Sequence, residues 1–228
     1  MKKLNFIIKY GLALLLLSFY SCESWLNVTP SDRLSEEMLF NDREGFVKAL
    51  NGVYIELNTN ELYGRNLTAG ALDVMGQYYS VASSSHAFYN YGGLVYTGND
   101  EKALFDNMWQ KCYAVIACCN TIIEKCDENK AGLSPVWKGS IKGEALALRA
   151  MLHFDMLRLF GPLTSELDKE SIPYQTNSDQ TVTPLLSGSE VIGLILDDLK
   201  NAVGLLKDTD PYFVEEEFSD TDLNYRRF

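Results

Sequence analysis

Between Val136 and Phe160, apolar residues fall on two helical faces at once. Ile141, Ala145, Leu148, Leu152, Met156 and Leu159 line one face, and Leu146, Ala150, Phe154 and Leu157 line another. A helix with one apolar stripe can lie on the surface of a core. A helix with two must be covered on both sides, so this stretch predicts neighbours flanking it. Gly161-Pro162 ends it, since glycine suits a left-handed cap and proline cannot continue the helix.

The same stretch, GEALALRAMLHFDMLRLFGP from Gly143 to Pro162, carries Glu144, Arg149, His153 and Asp155. These are the side chains of acid–base chemistry. Arg149 and His153 are four apart and share a face. Glu144 stands five residues before Arg149, about 500° around the helix, and points well away from it. Asp155 is two residues after His153, on nearly the opposite side. A general acid–base pair must reach one substrate atom, and these four diverge. They read as charges that pair with neighbouring helices. No GxSxG, HExxH or P-loop spacing occurs elsewhere. The expectation is a protein that is not an enzyme, with no catalytic residue and no cofactor.

Other helices bracket this one. From Arg43, the residues Phe46, Ala49, Leu50, Val53, Tyr54 and Leu57 follow the i, i+3, i+4 rule. From about residue 103, Phe105, Met108, Trp109, Cys112, Ile116, Cys119 and Ile123 do the same, up to a break at Asn129–Pro135. Ser187 and Glu190 form a capping box before a last helix faced by Leu194, Ile195, Leu199, Ala202 and Leu206. Residues 163–186 read as a polar loop, and no stretch shows sustained strand alternation. The fold class is therefore all-α, built of helix pairs like those of helical repeats, with long irregular loops. The last helix has an apolar face and no helix after it. Either the chain is a fragment of something longer, or that helix packs back onto the pair at about 103–161.

The ends speak about location. MKKLNFIIKYGLALLLLSFYSC has a basic start, an apolar run from Leu12 to Leu17 and small Ser21 before Cys22, the layout of a secretory signal over residues 1–21. Its apolar centre is shorter than the roughly 20 residues that span a bilayer. Cys22 after that centre looks like a bacterial lipobox cysteine, the site of acylation and the new N-terminus, although Phe19 stands where such signals usually carry leucine. The formal net charge of -11 disfavours nucleic acid as a partner, since an acidic chain repels phosphate backbones. Of the remaining cysteines, Cys112, Cys119 and Cys126 recur every seven residues along one helix stripe. That spacing sets Cα atoms roughly 10 Å apart, beyond the roughly 7 Å a disulfide tolerates. No CxxC pair or adjacent histidine suggests a metal site, so these thiols read as small core residues.

The blocks SCESWLNVTPSDRLSEEMLF, ALNGVY, MWQKCYAVIACCNTIIE, IKGEALALRAMLHFDMLRLFGP and EVIGLILDDLKNAV, in this order and spacing, resemble the SusD/RagB outer-membrane lipoproteins of Bacteroidota. The resemblance runs over essentially the whole of residues 22–228. It implies an all-α fold of tetratricopeptide-like helix pairs and a lipid anchor on Cys22, placing the protein on the outer membrane at the cell surface. It also implies a role in binding glycans or other nutrients, with a SusC-like TonB-dependent transporter and an oligosaccharide as partners. Members are typically about twice this length. LNYRRF looks like the onset of a further repeat helix, so the C-terminal half of the family pattern is missing here. The alternative is accordingly a truncated helical-repeat scaffold, an interaction module with no ligand binding of its own.

Ligand contacts are expected in the segment DVMGQYYSVASSSHAFYNYGGLVYTGND, residues 73–100. Residues 58–100 lose helical periodicity and are rich in glycine and tyrosine, and long loops in compact domains are commonly functional. Sugar rings pack their C–H faces on aromatic rings, while their hydroxyls need oriented polar partners. The segment offers both, and the candidates are Asp73, Gln77, Tyr78, Tyr79, His86, Tyr89, Tyr91 and Asn99.

Overall fold

The structure, a computed structural model, describes residues 36–179 and 181–210. The signal segment, Cys22, the loop at Pro30–Ser35 and the acidic C-terminal stretch with LNYRRF lie outside the described residues. The chain divides into two compact units, Met1–Glu37 and Met38–Phe228, and the main hydrophobic core lies within the second.

Among the described residues, four long helices carry the fold: α1 (Arg43–Leu57), α2 (Asn99–Glu128), α3 (Pro135–Phe160) and α4 (Gly188–Leu206). Each starts or stops for a local reason. The Asp42 carboxylate accepts from the Gly45 amide at 2.8 Å and caps α1. Ser134 caps α3 ahead of Pro135 at the first helical position. The Ser187–Glu190 capping box opens α4, with both halves formed. Asn129 turns left-handed at the end of α2 (φ 47°), and its side-chain oxygen accepts from the Leu133 amide at 2.7 Å.

The helix with two apolar faces lies, as its pattern requires, between neighbours: α3 packs against α1, α2 and α4. Leu152, Met156, Ala145 and Ala150 are fully buried within it, and a buried leucine of this kind contributes roughly 1.5–3 kcal/mol. Phe154 is a correction to the expected second face. It is 45% exposed, with the Arg158 guanidinium 5.6 Å over its ring. Cys112, Cys119 and Cys126 are buried and unpaired, as their spacing implies, while Cys118 faces outward. Burial pushes the Cys119 thiol up to about 12, so it is an inert core group.

The last helix packs back onto α3. Gly139 and Gly143 let it approach, for a Cβ on Gly143 would stand 2.7 Å from Leu206 Cγ, and one on Gly139 2.7 Å from Thr209 Cγ2. Its buried face is rotated from the expected one. Val191, Ile195, Asp198 and Ala202 are inside, and Leu199 is 39% exposed. The reason is Asp198, which is drawn inward by Arg149.

Three further boundaries differ from the sequence reading. The region expected as plain loop holds a two-stranded antiparallel ladder, β1 (Glu170–Pro173) and β2 (Leu185–Ser187), with Glu170 opposite Ser187 and Pro173 opposite Leu185. Strands of four and three residues are too short to show alternation. Helix α2 starts at Asn99 rather than near residue 103, because its first turn is polar and its cap, Gly98, has no side chain to signal a start. The tyrosine-rich segment is a succession of tight turns with two short helical stretches, Ala71–Met75 and Tyr89–Gly92. Ala71, Val74 and Tyr91 form a small core of their own, covered by Phe88, Tyr96 and Phe105.

Candidate functional site

The four ionisable residues of α3 each find a different partner. The Tyr54 hydroxyl of α1 donates to Glu144 at 3.1 Å, and the Tyr63 hydroxyl donates to Asp155 at 2.5 Å. Arg149 grips Asp198 of α4 with Nε and Nη2, both at 2.7 Å, and reaches Asn120 Oδ1 of α2 with Nη1 at 2.8 Å. The Gln175 amide donates to His153 Nε2 at 3.0 Å. That nitrogen must therefore accept, so Nδ1 carries the proton and donates to the Arg149 carbonyl at 2.9 Å. Burial lowers the His153 pKa to about 4, so the ring is neutral at neutral pH.

This network extends to the chain after β1. Asn120, wholly buried, donates to the Gln175 and Asn177 carbonyls at 3.1 and 2.8 Å. The Tyr174 hydroxyl donates to Asp198 at 2.5 Å, and its ring stacks on His153 at 3.9 Å. Each group pins the chain after β1 to α2, α3 or α4, and Arg149 and Asp198 also line a groove of about 660 Å³ together with Thr176, Lys142, Lys200 and Asn201.

The tyrosine-rich segment is organised differently. The Gln77 backbone is left-handed (φ 60°), as is that of Leu94 (φ 54°), a costly conformation outside glycine. These two turns bring residues 77–81 beside residues 89–95, and a groove of about 360 Å³ lies between them. Gln77, Tyr79, Ser80, Tyr89, Asn90 and Val95 are among its lining residues. The Gln77 side-chain amide ties the two arms together, with Nε2 donating to the Gly92 carbonyl at 3.0 Å and to that of Val74 at 3.3 Å. Tyr79 fixes its ring by donating its hydroxyl to the Ala69 carbonyl. Asn90 Nδ2 donates to Glu101 Oε1 at 2.8 Å, and Glu101 is 6% exposed in the first turn of α2. Gly98 makes room for that carboxylate, since a Cβ there would meet Glu101 Oε2 at 2.0 Å.

The groove brings together Gln77, Tyr79 and Tyr89 of the expected candidates. Tyr79 and Tyr89 are 43% and 42% exposed. Tyr78, at 82%, stands out in solvent and does not line the groove. Asp73 lies half-buried in the Ala71–Met75 turn, and Asn99 opens α2, both off the lining. His86 accepts from the Phe88 amide at 3.1 Å and is likewise outside it. Tyr91 is a correction. At 2% exposure it has no free ring face, and it packs edge-on to Phe88 and Phe105. Burial first, then the nearby charges of Glu101 and Asp100, push its hydroxyl up to about 12. Asn90 lies within the expected segment, and Glu101 stands just outside it.

A larger groove, about 780 Å³, runs between α1 and α3. Tyr54, Ile55, Leu57, Leu148 and Met151 give it a mainly aliphatic lining, with Asn51 and Asn58 at its rim. Hydroxyl-rich ligands need oriented polar partners, and on that ground the smaller groove is the stronger candidate.

Comparison with known proteins agrees on one family. The SusD-like family model described as "Starch-binding associating with outer membrane" matches residues 24–219. The chain is similar to SusD-like protein P38 of Formosa agariphila, 27% identical over 199 residues, covering 80% of this chain and 34% of the relative. It is similar to SusD-like protein P2 of the same organism, 26% identical over 166 residues, covering 71% and 30%. A SusD-like protein of Bacteroides ovatus is 30% identical over 110 residues, covering 46% and 19%. The chain thus spans about a third or less of the length of these curated relatives.

Proposed function

This chain belongs to the SusD-like family, and from that premise we propose that it binds glycan at the outer-membrane surface through the groove of its tyrosine-rich segment. In this reading the acylated Cys22 holds the protein on the membrane, and captured oligosaccharide passes to a SusC-like TonB-dependent transporter. The protein binds its ligand and does not transform it. The observation that carries the reading is the pairing of half-exposed Tyr79 and Tyr89 rings with amide side chains in one groove. Two half-exposed rings and a few hydrogen bonds give capture that is readily reversed.

Isothermal titration of the mature chain against neutral oligosaccharides tests the binding, and co-purification with its outer-membrane transporter tests the partnership. Saturable binding weakened by Tyr89→Ala supports the reading; heat of binding unchanged in that variant removes the groove from it.

A second reading, a helical-repeat interaction module, is favoured by α4. Leu196, Leu199 and Val203 lie at helical spacing and are 48%, 39% and 64% exposed. Sedimentation of the mature chain separates the two, because a bare module self-associates or binds protein while ignoring sugar.

A further inference from the structure

Two primary amides line the groove, and the protein fixes which end of each faces outward. The Gln77 nitrogen donates to two backbone carbonyls, of Val74 and Gly92. The Asn90 nitrogen donates to the Glu101 carboxylate. Carbonyl and carboxylate oxygens only accept, so neither amide can be turned about without setting oxygen against oxygen. The ends left over are Gln77 Oε1 and Asn90 Oδ1, and neither has a partner among the described residues. Both are acceptors. Tyr79 spends its hydroxyl proton on the Ala69 carbonyl, which removes one more donor. The Ser80 and Tyr89 hydroxyls can act either way and oppose nothing.

Among the described residues, the groove lining itself carries no charged side chain, and a cation nearby, Arg65, is turned onto the Phe88 ring at 5.7 Å. Glu101 lies directly behind Asn90, and the Glu101 and Asp100 charges both act on the Tyr91 hydroxyl beneath. A carboxylate or sulfate brought here would meet two fixed amide oxygens and the Glu101 charge behind them, with no cationic side chain in the lining to receive it. A hydroxyl would find two acceptors already oriented.

We infer that this groove selects neutral, hydroxyl-rich oligosaccharides and rejects acidic ones, with Glu101 as the positioning residue that holds the Asn90 amide oxygen outward. The inference rests on the glycan-binding reading above and narrows it to a ligand class. Glu101 touches no ligand and acts through Asn90. A glutamine in its place could donate to Asn90 Oδ1, freeing the Asn90 nitrogen to face the groove.

The test titrates the full mature chain with two panels of hexasaccharides. One is neutral (maltohexaose, cellohexaose, xylohexaose, mannohexaose) and one is acidic (hexagalacturonate, hexamannuronate). The expected result is a neutral ligand bound at least about tenfold more tightly than any acidic one, the size that unpaired acceptors and like charge produce. The preference should persist in 1 M salt, where the Debye length is about 3 Å and the net charge of the whole chain no longer repels at range. Glu101→Gln should narrow the neutral-to-acidic ratio by about fivefold with little change in melting temperature. Gln77→Gly keeps the left-handed backbone and should weaken neutral binding about fivefold, and it serves if Glu101→Gln does not fold. Equal or tighter binding of an acidic ligand, or a preference that vanishes in salt, overturns the selectivity and leaves glycan binding standing. An unchanged ratio in a folded Glu101→Gln protein overturns the positioning role. Silence from both panels overturns the glycan reading itself and this inference with it.

Discussion

The buried network around Arg149 and the groove around Gln77 are built from the same kinds of residue, and they use them in opposite ways. Around Arg149, an arginine, an aspartate, a histidine, an asparagine and a tyrosine hold one another and the backbone after β1. Asn120 and His153 have no exposed surface at all. Around Gln77, amide nitrogens are engaged and amide oxygens are left over, and the tyrosine rings are half in solvent. A buried polar group without a partner costs about 1–3 kcal/mol, so the first region could not have stayed open. The second lies at the surface, where water can satisfy the amide oxygens. Residue types alone would rank the His–Arg–Asp cluster as the more chemical of the two, yet its groups satisfy one another.

The comparison breaks first at the ion pair. Asp198→Ala strands a buried guanidinium, and unfolding free energy should fall by about 3–5 kcal/mol. Chemical denaturation measures it. Replacing both partners, Arg149→Met with Asp198→Leu, should recover most of the loss, because two apolar groups need no pairing. If the single variant unfolds at the wild-type denaturant concentration, the network is not what holds α4 to α3.

The next effect is one of pH. His153 is neutral in the fold because burial lowers its pKa from 6.5 to about 4. Arg149 opposes its charge and Asp198 favours it, both more weakly than burial acts. The unfolded chain binds that proton more readily, so the stabilisation is complete above about pH 6.5 and drains away as pH falls towards 4. A shift of this size corresponds to about 3 kcal/mol. Melting temperature followed from pH 7 to 4 should fall in the wild type. In His153→Gln this part of the slope should be missing, on a protein already less stable at pH 7.

Much of the scaffold is legible in the residues, and the reasons are local. The two-faced pattern of α3, the Ser187–Glu190 box and the seven-residue cysteine spacing are short-range signals, and each survives into the structure. The divergence of Glu144, Arg149, His153 and Asp155 follows from helical geometry alone, but the identity of their partners does not. Asp198 lies 49 residues from Arg149, and no periodicity encodes such a pairing. For the same reason the apolar pattern of α4 predicts Leu199 on its inner face, where an aspartate has taken the place. The groove is half legible. Its tyrosine density points to the segment that holds the groove. Which rings face out depends on the left-handed turns at Gln77 and Leu94, a conformation not expected of glutamine or leucine. Tyr91 and Tyr89 are two residues apart and indistinguishable in type, yet one is core and the other surface.

That pair of tyrosines gives the sharpest separation of site from scaffold. Tyr91→Ala should cost about 3 kcal/mol, as truncation of a buried aromatic does, and should abolish binding by loosening the small core beneath the groove. Tyr89→Ala should leave stability within about 0.5 kcal/mol while weakening glycan binding about tenfold, the size of one lost ring contact.

The smallest effect is the most discriminating. Tyr78 is the most exposed tyrosine of the segment and next in sequence to Tyr79, yet it lies off the groove. If ligand binds in the groove, Tyr78→Ala should change neither melting temperature nor affinity beyond error. If affinity drops as far as in Tyr89→Ala, the binding surface is the open outer face of the segment. The fixed carbonyls of Gln77 and Asn90 would then lie behind it rather than within it.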